Sequence, residues 1–116
     1  VATGIPADDV VYQGVTYRIG QANNALVYPG VGFGAIAAAA KVINGETLSA
    51  ASHALGGIVD PDEPGAAVLP PVAKLQEFSQ TIAEVTAQNI IDQGLSKKDF
   101  SRGKAAVAQA KWNPTY

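Results

Sequence analysis

The stretch Tyr28–Ile43, YPGVGFGAIAAAAKVI, decides how the chain is read. Gly30 and Gly32, with Ala35 three residues on, satisfy Gly-x-Gly-x-x-Gly/Ala, the loop that holds a dinucleotide pyrophosphate at a helix start. That loop needs a strand running into the first glycine, a helix N-terminus facing the phosphates, and an acid about 20 residues later for the ribose. Only the helix start is present. The preceding ALVYP is short and ends in Pro29, which has no N–H to give to a sheet. Ala50–Ser52, where the acid belongs, contains none and reads as helix. Close packing accounts for more of the stretch. Gly30, Gly32, Gly34 and the alanine run leave a helix almost without side-chain bulk, so another backbone can come near.

Around this segment the hydrophobic period changes. VATGI is a short β-branched strand stopped by Pro6. VVYQGVTYRIG alternates as a β-hairpin about Gln13-Gly14. From Ala35 the period is about 3.6. A first helix is expected over 31–43, closed by Asn44-Gly45, and a second over 46–55 with Leu48, Ala51 and Leu55 on one face. IVDPDEPGAAVLPP, with four prolines and three acids, is a loop. Leu75, Phe78, Ile82, Val85 and Ile90 make the strongest amphipathic helix, over 72–93, with Glu77, Gln80, Glu84 and Gln88 on its wet side and Gly94 at its end. Ser96 and Asp99 resemble a capping box for a fourth helix over 97–111, ended by Asn113-Pro114. No internal repeat is present.

Composition narrows the function. The chain has 116 residues, 47% hydrophobic and 16% charged, with net charge −2. No basic cluster invites nucleic acid. The apolar run Gly34–Ala40 is far short of the ~20 residues a membrane span needs. Cysteine is absent, which excludes a disulfide framework and a thiol nucleophile and favours the cytoplasm. A parallel sheet needs strand–helix–strand units, and one parallel strand is visible, so the expectation is a piece of a longer α/β protein.

Asn23 and Asn24 offer donors and acceptors without charge between the hairpin and the first helix, and turn chemistry alone also explains them. His53 lacks an acid at helical spacing, and Asp60, Asp62 and Glu63, interleaved with prolines, read as a solvated loop. Tyr12, Tyr17 and Tyr28 fall where the hairpin and the helix start need packing. Trp112 and Tyr116 are expected to anchor the tail to another surface.

GQANNALVYPGVGFGAIAAAAKV, AAVLPPVAKLQEFSQTIA and the closing KWNPTY resemble the malic enzyme family over essentially the whole chain. The opening Ala2-Thr3-Gly4-Ile5-Pro6-Ala7 matches a segment that reads Ala-Ser-Gly-Ser-Pro-Phe in many malic enzymes. Its departures resemble the branch that turns L-malate into L-lactate and CO2.

The resemblance implies an α/β fold: the C-terminal part of a Rossmann-like NAD-binding domain with trailing helices, here mostly helical with one short strand and a β-hairpin. Residues 1–23 would end the dinucleotide-binding domain, 24–95 would return the chain to the substrate domain, and 96–116 would form a C-terminal helix and tail. Gly4 would lie against the nicotinamide side of NAD. Asn24, with Asn23 beside it, would contact L-malate at an interdomain hinge, and Asn23 would also border the cofactor. The pyrophosphate loop, a tyrosine–lysine pair for proton transfer and carboxylates holding Mn²⁺ or Mg²⁺ would lie upstream, so no catalytic or metal residue is expected here. The partners implied are L-malate, the rest of the polypeptide and a second copy, with no nucleic acid or membrane. One alternative is oxidative decarboxylation to pyruvate with release of NADH. Another is an autonomous helical binding module, favoured if Gly4, Asn23 and Asn24 lie apart or buried.

Overall fold

The structure, a computed structural model, describes residues 1–113; Pro114 and Tyr116, to which the sequence assigned a helix stop and an anchor, lie outside them. Four short strands come first: β1 (Ala2–Thr3), β2 (Val10–Tyr12), β3 (Val15–Tyr17) and β4 (Gly20–Gln21). Four α-helices follow: α1 (Tyr28–Ala37), α2 (Gly45–Gly56), α3 (Leu75–Asp92) and α4 (Gly103–Ala110). Single 3-10 turns at Asn24–Leu26 and Val72–Lys74 lead into α1 and α3.

The hairpin forms where expected, pairing Val10 with Tyr17 and Tyr12 with Val15. Gln13 and Gly14 both have positive φ, +49° and +77°, the mark of a type I′ turn that matches strand twist. The hairpin rests against the 58–72 loop, where Arg18 N donates to Gly65 O at 2.8 Å and Gly65 leaves no room for a Cβ against Thr16, but its tyrosines lie outside that contact. Tyr12, Tyr17 and Tyr28 are all exposed, Tyr28 to 70%, so the packing expected of them is absent. The alternation in sequence predicts a hairpin that runs through Gly20. Instead Gly20–Gln21 is a second parallel strand, pairing Ala2 with Gly20 and Thr3 with Gln21. A Cβ at Gly20 would lie 3.4 Å from Leu69, so the residue is small where β4 crosses the 58–72 loop.

Helix α3 is the spine, and α1, α2 and α4 all pack on it. Its apolar stripe is buried at Phe78, Ile82, Ala83, Ala87 and Ile90. The glycines of α1 divide by face. A Cβ at Gly30 would lie 2.7 Å from Ile82, and one at Gly34 would lie 2.8 Å from the Thr86 Cβ, while one at Gly32 would meet nothing within 4 Å. Gly30 and Gly34, one helical turn apart, let α1 sit close against α3; Gly32 faces away and takes no part, against expectation. Ala37 and Ala38 continue the close face. Pro29 falls in the first turn of α1, where a missing N–H costs no helical hydrogen bond.

Several helix ends differ from the sequence expectation. Helix α1 stops at Ala37, not at Ile43. Ala39 takes φ +49°, and Ala39 N and Ala40 N donate to Ile36 O and Ala35 O, a Schellman end. An alanine in that conformation costs about 1–2 kcal/mol. Tertiary bonds hold it there: Lys97 N donates to Ala39 O at 2.9 Å and Ser96 Oγ donates to Ala38 O at 2.6 Å. Asn44 therefore does not close α1 but opens α2, its Oδ1 accepting from Thr47 N. Thr47 takes the buried position expected of Leu48, which is 49% exposed. Helix α3 ends as expected, with Gly94 at φ +69°. Ser96 does not cap α4, which begins at Gly103. Its cap comes from α3: Gly103 N donates to Gln88 Oε1 at 2.8 Å, so Gln88 is not a wet-side residue. Gly103 itself leaves no room for a Cβ against Glu84 and Gln88. Trp112 is 77% exposed.

The glycine faces give a stability test. Gly34→Ala and Gly30→Ala should each cost about 1–3 kcal/mol by overpacking, whereas Gly32→Ala should stabilise by up to about 1 kcal/mol through helix propensity. Urea unfolding of the three variants checks this; equal damage from all three would refute the two-face assignment.

Candidate functional site

The site is built by the β1–β4 ladder. Gly20 N donates to Val1 O at 3.0 Å and Ala22 N donates to Thr3 O at 2.8 Å. These bonds align the carboxyl ends of two parallel strands, so the chain leaves β1 at Gly4 and β4 at Asn23 from the same end. In open α/β sheets that is the end where ligands bind. Thr3 Oγ1 donates to Ile5 O at 2.7 Å and sets the turn out of β1. Gly4 faces open space, with nothing within 4 Å of where a Cβ would stand. Nothing in the sequence marks β4, since Gly20 and Gln21 carry no β-branched signal.

Asn23 and Asn24 differ in what holds them. Asn23 is extended, and its Oδ1 accepts from Ala25 N at 2.9 Å, capping the 3-10 turn. Its N–H donates to Gln21 O at 3.1 Å, and its carbonyl accepts from Leu26 N at 3.0 Å. Among the described residues the Asn24 side chain has no partner; only its backbone carbonyl is engaged, by Val27 N at 3.1 Å. Leu26, 2% exposed, plugs the turn into the core and fixes both asparagines at the surface. Beside them opens a hollow of about 440 Å³ walled by Val27, Tyr28, Leu48 and Leu69. A larger hollow of about 780 Å³ lies against Arg18, Gln21, Lys74 and Phe78. Glu63 closes a 2.7 Å ion pair with Arg18 beside it.

Chemically, this end of the molecule offers the amide groups of Asn23 and Asn24 and open space at Gly4. Among the described residues no three His, Asp or Glu side chains gather where a metal ion would need them. Asp60 Oδ1 accepts from Asp62 N, as the loop reading expects. His53 donates from Nδ1 to Ser49 O at 2.8 Å on the surface of α2. No helix among these residues is long and apolar enough to cross a membrane.

Residues 1–91 match the family described as "Malic enzyme, NAD binding domain". The chain belongs to the malic enzyme family. Its malic enzyme relatives include the malolactic enzyme of Lactiplantibacillus plantarum, 70% identical over the whole chain, and that of Leuconostoc mesenteroides, 63% identical. The NAD-dependent malic enzyme 3 of Bacillus subtilis is 40% identical over the same span. The chain covers 21%, 21% and 20% of these three relatives, about one fifth of a malic enzyme's length. The resemblance read from the asparagine and glycine motifs is thus borne out, as is the Rossmann-like assignment.

The two asparagines should separate by stability. Asn23→Ala removes a cap and should cost about 1 kcal/mol. Asn24→Ala removes an exposed side chain and should change stability by less than about 0.5 kcal/mol. Thermal melts read both; a larger loss from Asn24→Ala would place that side chain in the fold rather than at a site.

Proposed function

We propose that this chain supplies the nicotinamide-side and malate-orienting surface of an NAD-dependent malolactic enzyme, which converts L-malate to L-lactate and CO2. The observation that carries the reading is the shared exit of Gly4 and the asparagine pair from one end of the parallel ladder. Exposed and together, they fit an enzyme segment better than an autonomous helical module. The higher identity to malolactic relatives than to the oxidative one favours lactate as product.

Gly4 leaves free the volume that a nicotinamide ring would take. Asn23 has its Oδ1 committed to the cap, so it presents Nδ2 outward as a donor. Asn24 keeps its whole carboxamide for a malate carboxylate. NAD⁺, when bound, accepts the hydride from C2 of malate. Loss of CO2 from the resulting 2-keto acid leaves pyruvate, and return of the hydride gives lactate. One proton is consumed overall and no net oxidation occurs. Mn²⁺ or Mg²⁺ and the proton-transfer groups belong, on this reading, to the rest of the polypeptide. Residues 1–23 then end the dinucleotide-binding domain, 24–95 lead to the substrate domain, and 96–116 form the trailing helix and tail. A cytoplasmic homo-oligomer suits the cysteine-free sequence and the exposed apolar hairpin.

The test uses the full polypeptide with L-malate, Mn²⁺ and catalytic NAD⁺. Lactate and CO2 should appear in equal amounts without accumulation of NADH. Stoichiometric NADH with free pyruvate would replace the malolactic reading with the oxidative one. Asn24→Ala should lower kcat/KM roughly 10- to 150-fold by removing a donor to a charged group, and Asn24→Asp should lower it further by setting charge against charge. Ile5→Ser with Ala7→Phe tests whether the opening strand governs retention of pyruvate.

A further inference from the structure

Asn44-Gly45 lies outside the proposed site and has its own chemistry. Asparagine followed by glycine can cyclise: Gly45 N attacks Asn44 Cγ, the side-chain nitrogen leaves as ammonia carrying the N–H proton, and a five-membered imide forms. Water then opens the imide to aspartate or to isoaspartate, whose main chain contains one extra methylene.

The nucleophile is fully available. Gly45 is exposed, has no side chain to hinder attack, and nothing lies within 4 Å of where a Cβ would stand. As the first residue of α2, its N–H has no partner within the helix. The electrophile is held. Asn44 Oδ1 accepts from both Thr47 N and Thr47 Oγ1 at 3.0 Å. Asn44 Nδ2 donates at 2.7 Å to Gln93 Oε1, just past the end of α3. Gln93 is itself held by donating to Asn89 Oδ1 and to Thr47 Oγ1. Attack requires Cγ to swing onto Gly45 N, which breaks the cap and the link to α3 together.

We infer that Asn44 is a latent imide-forming site that the α2–α3 amide cluster keeps shut, and that it reacts only when the start of α2 parts from the end of α3. The aspartate product can still cap Thr47, but the isoaspartate product displaces the cap. Leu48 and Leu55 of α2 wall the hollow beside Asn23 and Asn24, so that product also disturbs the proposed malate surface.

The test incubates the full polypeptide at mildly alkaline pH and follows residue 44 by peptide mass spectrometry and isoaspartate methylation. Conversion should be slow in the native protein and fast in denaturing urea. Gln93→Leu should speed it roughly tenfold, the gain in open population expected from losing one hydrogen-bond partner. Gly45→Ala, which fits without a clash, should suppress it in both states. If Gln93→Leu fails to fold, wild-type conversion in graded urea below the unfolding midpoint should rise with denaturant. Equal rates in native and fully denatured protein, or a folded Gln93→Leu no faster than wild type, would overturn the inference.

Discussion

The closeness of α1 to α3 is the constraint on which the other contacts depend. It is set by the absence of two side chains. At Gly30 and Gly34 a methyl group would enter the space of Ile82 and Thr86. Interiors are packed densely enough that the helices could answer only by separating. Separation would lift the 3-10 turn from the core, because Leu26 is packed in the same cluster as Val31, Phe78 and Ile82. That turn carries both asparagines. The glycines that imitate a phosphate loop thus serve the site from behind, through packing.

Helix ends are satisfied across elements as well as locally, and this makes α3 the organiser. Gln88 caps α4, Gln93 braces the cap of α2, and the turn after α3 ties the end of α1 through Ser96 and Lys97. Each bond crosses from one element to another, so these helix ends form only when the bundle does. Short helices such as α4 are marginal alone in water, and a cap supplied by a neighbour couples their formation to packing.

The same feature explains what the sequence could and could not reveal. The amphipathic stripe of α3 and its Gly94 stop are local signals, and both are found. The Gln13-Gly14 turn is equally local. The end of α1 is not. Ala37 to Ala40 offer no glycine or proline, and the chain reverses at an alanine because tertiary bonds hold it there. Ser96 resembles a capping residue by spacing, yet its hydroxyl is used by Ala38, and the true cap of α4 sits on α3. Strand β4 exists because β1 lies beside it, not because Gly20 and Gln21 favour extension. The candidate site was legible as residues, through the asparagine pair and the opening glycine. It was not legible as geometry, since the ladder that joins its parts is formed by main-chain groups common to every sequence.

At the asparagine pair, turn chemistry and the proposed ligand role are compatible. Asparagine carries an acceptor and a donor on one rigid planar group. At Asn23 the acceptor is used by the turn, which fixes the plane of the amide and so fixes the direction in which its N–H groups point. Capping is therefore a means of orienting a donor, achieved without a second layer of side chains. Asn24, one residue on, has no such restraint and can follow a ligand. On the proposed reading, a rigid donor beside an adjustable one would suit a small carboxylate held against a flat ring. Only the first of the pair has a role that the isolated fold requires.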